Sequence, residues 1–146
     1  MESERLLVVD ANILIRAVLG PRARNIIEVN AGRAAFFTPD VAYDDVRKYL
    51  PTLLTKRGFD TEIVTQSLAT VDALEGVVLA VARETYAVAR PDAEARLRRR
   101  DPDDWPILAT AMVLDCPIWT EDQDFFGVGV PIWTTDRVEL YLNNIG

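Results

Sequence analysis

The sequence lacks histidine entirely and contains one cysteine and two lysines. Without histidine, Ser-His and Cys-His nucleophile systems and imidazole-based zinc sites are excluded. The single Cys116 rules out an internal disulfide and fits a strand position in a reducing compartment. The chain also has neither a Gly-x-x-x-x-Gly-Lys loop nor a Gly-x-Gly-x-x-Gly loop to hold phosphates. Carboxylates therefore remain for catalysis, and ligands that offer only oxygen select Mg²⁺ or Mn²⁺.

Long apolar runs are missing as well. The apolar run Leu6–Val9 is too short for a membrane span or a signal-peptide core, so we expect a cytoplasmic protein. A length of 146 residues with 49% hydrophobic and 27% charged residues indicates one globular domain over residues 1–146. The net charge of −7 argues against a surface that binds nucleic acid throughout, but it allows a local site.

Short apolar runs alternate with stretches of helical periodicity. This order predicts a mainly parallel three-layer α/β/α sandwich. A long helix that begins with Thr38 as N-cap and a second one capped by Asp60 should form a protruding helical hairpin. The predicted strands are Leu6–Val9, Ala34–Phe37, Glu75–Val81, Cys116–Thr120 and Pro131–Trp133.

Three acids precede an apolar helix in the segment of residues 101–112. With Asp103 as N-cap, Asp104 is the first helical residue and shares a face with Leu108 and Ala111. A carboxylate at the tip of a buried stripe must be paired or must bind a cation. Asp101 and Asp103 are instead explained as caps that complement the helix dipole.

Other acids follow the predicted strands. Asp10 and Asp122 each come after a strand's carboxyl end, and Asp45 lies among apolar positions of the long helix, whereas Asp44 should be solvated. An N-cap role is the alternative for Asp10. The carboxyl ends of parallel strands share one edge of the sheet, so these acids should meet Asp104 there. Carboxylates brought together repel each other unless a cation neutralises them, which predicts a divalent metal.

Arginine makes up 14 of the 16 basic residues and clusters at the end of a predicted helix over residues 90–100. Arg98, Arg99 and Arg100 either complement that helix's dipole or hold an RNA backbone over the acidic site. The tryptophans are expected to pack in or around the core, with base stacking as the alternative.

Four acidic segments together resemble the motifs of the PIN-domain ribonucleases, and most of all the toxin subunits of VapBC-type toxin–antitoxin pairs. The resemblance covers residues 6–142. The segments are Val-Val-Asp10-Ala-Asn-Ile-Leu, Thr-Pro-Asp-Val-Ala-Tyr-Asp-Asp45-Val, Asp104-Trp-Pro-Ile-Leu-Ala-Thr-Ala and Pro-Ile-Trp-Thr-Glu-Asp122-Gln-Asp-Phe.

The resemblance implies a five-stranded parallel sheet, Mg²⁺- or Mn²⁺-dependent cleavage of single-stranded RNA, homodimerisation and an antitoxin that occludes the site. Family members usually have glutamate where this chain has Asp45, whose shorter side chain favours weaker metal binding or contact through a water. Carried over to this chain, the catalytic and metal-binding residues are Asp10, Asp45, Asp104 and Asp122, supported by Asn12, Thr120 and Asp124.

Two other classes fit part of the pattern. Phospho-accepting receivers and haloacid-type phosphatases also place aspartates and Mg²⁺ at strand ends, but both need a lysine late in the chain, and the last one here is Lys56. A PIN-like module without activity, which binds RNA or protein, is the stronger alternative. We expect a small endoribonuclease that acts as the toxin of a toxin–antitoxin pair.

Overall fold

A computed structural model describes residues 4–143 and shows a five-stranded parallel sheet in a three-layer α/β/α arrangement. The sheet order is β3-β2-β1-β4-β5, so β1 lies in the centre. This arrangement confirms the predicted fold. The strands are β1 Arg5–Val9, β2 Ala34–Pro39, β3 Val78–Val81, β4 Ile118–Trp119 and β5 Ile132–Trp133.

The helices fill the connections between the strands. None of those in residues 4–143 is long and apolar enough to cross a membrane. The predicted domain of residues 1–146 includes six terminal residues, 1–3 and 144–146, that lie outside the described part. The helices are α1 Ala11–Leu19, α2 Pro21–Asn30, α3 Asp40–Lys56, α4 Thr61–Leu74, α5 Arg83–Tyr86, α6 Arg90–Arg96, α7 Trp105–Leu114 and α8 Val138–Asn143.

Two helix starts differ from the sequence prediction. Thr38 belongs to β2, where its hydroxyl donates to the Val9 carbonyl over 2.7 Å, so α3 begins at Asp40 without a threonine cap. The segment before α7 forms a 3₁₀ turn, in which the Asp101 carboxylate accepts from the Asp103 N–H over 3.1 Å. Asp103 therefore caps nothing, and α7 begins one residue later than predicted, at Trp105.

Helix α7 lies in the core. Its first seven residues, 105–111, are all buried, because it contacts β1 and β2 and also α5 and α6. The predicted face of Leu108 and Ala111 is buried as expected, at 0% and 1% exposure. Asp104 immediately precedes this enclosed helix and is half-buried.

Beyond its first residues, the α3–α4 hairpin matches the prediction except at Asp45. Asp60 caps α4 by accepting from the Ile63 N–H over 3.0 Å, as expected. Arg47 on α3 pairs with Asp72 and Glu75 at the far end of α4 and ties the two helices together. Asp45 was predicted on the buried side, and this is wrong: it is exposed, as is Asp44.

Candidate active site

The carboxyl ends of β1 and β4 bring the first acids together. The two strands pair in parallel with Val9 opposite Trp119, so the residues that follow, Asp10 and Thr120, are neighbours at the same edge. The Asp10 N–H donates to the Trp119 carbonyl over 3.0 Å and continues the pairing by one bond. Strand pairing alone thus fixes where Asp10 and Thr120 lie.

The Asp10 carboxylate is 8% exposed and is held by three donors. Its Oδ1 accepts from the Ala11 N–H over 2.7 Å, and its Oδ2 accepts from the Thr120 hydroxyl over 2.6 Å and from the Asn12 amide over 3.2 Å. Burial raises the pKa of Asp10, and the hydrogen bonds from Thr120 and Ala11 only partly oppose that rise. The N-cap alternative thus holds locally, since Asp10 caps α1 while also contacting Thr120.

Thr120 connects Asp10 to the loop that follows β4. Its hydroxyl oxygen accepts from the Asp122 N–H over 2.9 Å, and Asp122 Oδ1 in turn accepts from the Asp124 N–H over 2.9 Å. The second bond begins the 3₁₀ turn Gln123–Phe125, whose Phe125 is fully buried. One chain of hydrogen bonds therefore positions three carboxylates relative to one another.

Three carboxylates form a group that could hold a metal ion. Asp104, Asp122 and Asp124 each offer an oxygen, and these oxygens lie within 4.8 Å of one another. Burial, followed by the charges of Asp101, Asp10, Asp122 and Asp124, raises the pKa of Asp104 to about 7. The cost of this crowding is what a bound cation would remove.

The donor set fits a hard divalent cation. Every charged side chain of the group offers oxygen, the ligand type that Mg²⁺ and Mn²⁺ prefer. The Asn12 Oδ1 beside Asp10 is buried and has no hydrogen-bond partner among the described residues. A buried acceptor without a donor is costly, so a polar group that reached this atom would stabilise it.

Comparison with known proteins identifies the family. The family model of the PIN domain matches residues 8–143. The chain belongs to the PIN-domain family. A comparison with curated protein sequences found no significant match.

Solved structures share the fold of this PIN domain at low sequence identity. VapBC from Salmonella typhimurium in a DNA-bound form has a TM-score of 0.68 and 15% identity, over 91% of this chain and 99% of that one. VapBC2 from Rickettsia felis, bound to a promoter DNA fragment, has a TM-score of 0.66 and 11% identity, with coverages of 88% and 98%. VapBC-1 from nontypeable Haemophilus influenzae has a TM-score of 0.63 and 16% identity, with coverages of 90% and 98%.

The PIN domain brings together most, but not all, of the residues expected from the sequence. Asp104 and Asp122 meet, Asp10 lies within electrostatic reach of both, and Asp124 joins the group although the sequence placed it only in support. Asp45 is outside the three-carboxylate group. It is exposed and lines a groove of about 450 Å³ beside Ala11.

Asp40 is an acid of this edge that sequence reasoning missed. Its Oδ1 accepts from the Tyr86 hydroxyl over 2.6 Å, and its Oδ2 accepts from the Arg83 N–H over 3.2 Å. Asp40 thus holds α5 against the start of α3. Its place at the first position of α3 was visible in the sequence, but its partners come from a short helix that the apolar pattern did not predict.

The arginine cluster has a different geometry from the one expected. Helix α6 ends at Arg96 rather than Arg100. Arg96 Nη1 and Arg100 Nη1 donate to the carbonyls of Val128 and Asp124, each over 3.0 Å. Gly129 has φ of +88°, and a Cβ there would lie 2.8 Å from Arg96 Nη1. These two arginines therefore brace the loop that carries the acids.

The structure also shows the burial of the remaining arginines of the cluster and of the three tryptophans. Arg98 and Arg99 are exposed. Trp105 and Trp119 are buried, and Trp133 is half-buried and stacks on Tyr141 at 5.7 Å between ring centroids. The packing role expected for the tryptophans is confirmed.

Proposed function

We propose that this PIN domain is a metal-dependent endoribonuclease that cleaves single-stranded RNA with Mg²⁺ or Mn²⁺. The observation that carries the proposal is the group formed by Asp104, Asp122 and Asp124, with Asp10 held beside it through Thr120. PIN domains are generally nucleases, and the chain lacks the histidine that metal-free RNA hydrolysis commonly uses. Carboxylates with a divalent cation are sufficient for phosphodiester hydrolysis.

The chemistry divides between the cation and the side chains. When bound, the cation supplies Lewis-acid activation of a water and stabilises charge on the attacked phosphate. Asp104, Asp122 and Asp124 would hold the cation, because their carboxylate oxygens lie within 4.8 Å of one another, and Thr120 holds Asp10 beside them. Asp104 or Asp122 would orient the attacking water and accept its proton. Asn12 and Thr120 keep the Asp10 carboxylate in place, while Asp45 would reach the site only through water.

The biological role belongs to the same proposal: the protein would act as the toxin of a toxin–antitoxin pair, restrained by a cognate antitoxin protein. The VapBC complexes that share its fold support this role, although their identities of 11–16% support the fold more directly than the partner. Homodimerisation, a cytoplasmic location and RNA binding by Arg98, Arg99 and Arg100 stay predictions.

The test is cleavage of a fluorophore-labelled single-stranded RNA pool by the purified protein in Mg²⁺, in Mn²⁺ and in EDTA. Asp104→Asn and Asp122→Asn keep side-chain size and remove ligand charge. Asp136→Asn is the matched control, since the Asp136 side chain is 81% exposed and pairs only with Arg22 among the described residues. Metal-dependent cuts that disappear in the two site variants and persist in the control support the proposal.

The opposite outcome would favour the inactive binding module. Folded wild-type protein that binds Mn²⁺ but leaves RNA intact with both metals would contradict the nuclease proposal. Cuts that persist in EDTA or in both site variants would contradict the role of the carboxylates.

A further inference from the structure

Two arginines lie over the tryptophan that follows Asp104. The guanidinium carbons of Arg83 and Arg90 are 5.3 Å and 4.6 Å from the Trp105 ring centroid. The Trp105 ring is 6% exposed and also contacts Tyr86, with 5.6 Å between the ring centroids. Arginine planes held against an aromatic ring are ordered before a ligand arrives, which lowers the entropy cost of binding.

These arginines lie on the acidic side of the fold. Arg83 comes two residues after β3 and therefore lies at the same carboxyl edge as Asp10 and Asp122. Its N–H donates to Asp40, at the first position of α3. Arg90 begins α6, which packs against α7 and against the 3₁₀ turn that ends at Asp104. Both guanidiniums are thus anchored next to the segment that carries Asp104.

The two side chains keep donors that packing does not use. Arg83 forms no ion pair with a carboxylate within residues 4–143, and Arg90 pairs through Nε with Glu94 at 3.3 Å, on its own helix. Both residues are exposed despite their contact with a buried ring. A guanidinium with free N–H groups beside a phosphodiester-cleaving site matches the two-oxygen geometry of a phosphate.

The negative charge of the site means that RNA binding needs positive side chains nearby. The three-carboxylate group repels a polyanion, and the net charge of the chain is −7. A cation at the carboxylates acts on one phosphate, while the flanking phosphates need positive groups of their own. Arg96 and Arg100 already donate to loop carbonyls. Arg83 and Arg90 are the arginines held on the residue next to Asp104.

We propose that Arg83 and Arg90, held on Trp105, form a phosphate-binding rim that takes the backbone of the single-stranded RNA beside the scissile bond. This inference rests on the proposed function and deepens it. It assigns to Arg83 and Arg90 the RNA-backbone contact that the sequence alone suggested for Arg98, Arg99 and Arg100.

The test measures RNA affinity without turnover. Anisotropy of a labelled single-stranded RNA is followed in Ca²⁺, an oxygen-preferring ion, with a gel to verify that the RNA stays intact. Arg83→Gln with Arg90→Gln should weaken binding about 10-fold and flatten the slope of log K against log salt by about 1.4, since two phosphate contacts are lost. Arg83→Lys with Arg90→Lys should restore part of the affinity, because it keeps the charge.

Two control pairs lose the same charge elsewhere. Arg98→Gln with Arg99→Gln alters the exposed turn after α6, and Lys56→Gln with Arg57→Gln alters the end of α3, about 24 Å along the helix from Asp40. We expect the Arg83/Arg90 pair to lose the most RNA affinity. A loss as large in either control pair would overturn it.

Failure of the inference is distinguishable from failure of the function. Mn²⁺ calorimetry on the glutamine double variant should give the wild-type affinity, which shows that the carboxylates are intact. If wild type binds and cuts RNA and the double variant binds as tightly with the same salt slope, only the rim is refuted, even if unfolding shows lost packing. If wild type binds Mn²⁺ but no RNA, the rim and the nuclease both fail.

Discussion

Acids at neighbouring strand ends of this PIN domain are used differently. After β1 and β4, Asp10 and Asp122 accept hydrogen bonds from backbone or hydroxyl donors and lie near Asp104, whose pKa rises to about 7. After β2, Asp40 instead bonds Tyr86 and the Arg83 N–H, while Asp45 is exposed on α3. Both sets follow a strand at the same edge of the sheet.

The difference shows what turns an acid at a sheet edge into part of a site. Position at the edge is shared by both sets. Thr120, directly after β4, bonds both the Asp10 carboxylate and the Asp122 N–H and so links two acids to each other, whereas the donors to Asp40 link it to α5. On α3, Asp45 is exposed and lies outside the three-carboxylate group.

The largest expected effect is on catalysis. Asp104→Asn should lower metal-dependent RNA cleavage about 10³-fold, because a lost ligand charge removes several kcal/mol of transition-state stabilisation. Asp45→Asn should cost less than about tenfold, since an exposed carboxylate outside the group acts through water. Single-turnover cleavage in Mg²⁺ measures both. Equal losses of cleavage rate in the two variants would contradict the distinction between the three-carboxylate group and the acids of α3.

The next effect is on stability without metal. With its pKa raised from 3.8 to about 7, Asp104 keeps its proton in the folded state at pH values where the unfolded chain has lost it. The free energy of unfolding in EDTA should therefore fall as pH rises from about 4 to about 7, by at most about 4 kcal/mol. Asp104→Asn should reduce this loss, leaving the part that comes from Asp10, and should be more stable than wild type at pH 8.

Urea unfolding in EDTA across this pH range checks the stability prediction. Asp103→Asn changes an exposed neighbour and should stay within about 0.5 kcal/mol of wild type. Added Mg²⁺ should raise the stability of wild type at pH 8 more than that of Asp104→Asn. A wild-type protein that becomes steadily more stable from pH 4 to pH 7 in EDTA would refute the crowding of charge at Asp104.

A smaller effect should follow from the hydroxyl that links two of the acids. Thr120→Val removes the donor to Asp10 and the acceptor for the Asp122 N–H, so Mn²⁺ affinity should fall about 10- to 100-fold. Thr110→Val is the control, because Thr110 is equally buried and its hydroxyl donates to the Pro106 carbonyl of its own helix. Calorimetry that gives the same Mn²⁺ affinity for both variants would show that Thr120 acts in folding alone.

The smallest effect concerns the loop brace. Arg100→Gln removes the bond to the Asp124 carbonyl and should weaken Mn²⁺ binding about three- to tenfold by loosening one carboxylate. Arg99→Gln loses the same charge from an exposed neighbour and serves as the control. If the two variants bind Mn²⁺ with the same affinity, the change comes from the lost arginine charge and not from the lost bond to the Asp124 carbonyl.

The sequence predicted the sheet and three of the four clustered acids, for a physical reason. Apolar runs end where strands end, and parallel strands place those ends at one edge, so Asp10 and Asp122 could be located without coordinates. Asp104 was located from its position at the start of an apolar helix. Asp45 could not be located correctly from the sequence. It was predicted to share a buried helix face with apolar residues such as Tyr49, four positions later, but Tyr49 is 52% exposed.

Other features of the site depend on contacts between distant segments. Asp124 joins the group because Arg100 and the Asp122 carboxylate shape its turn, and neither bond leaves a periodic pattern in the sequence. The Asp40–Tyr86 bond likewise joins residues 46 positions apart. Local pattern places the elements, whereas side-chain bonds between them decide which acids meet.

The most direct test of the account is the position of Mn²⁺ in crystals of the protein, located by anomalous scattering. We predict a peak in direct contact with carboxylate oxygens of the group of Asp104, Asp122 and Asp124, with Asp10 next to it. We predict no direct bond from the ion to Asp45. Mn²⁺ bound by the acids of α3, with the group of three empty, would contradict the account.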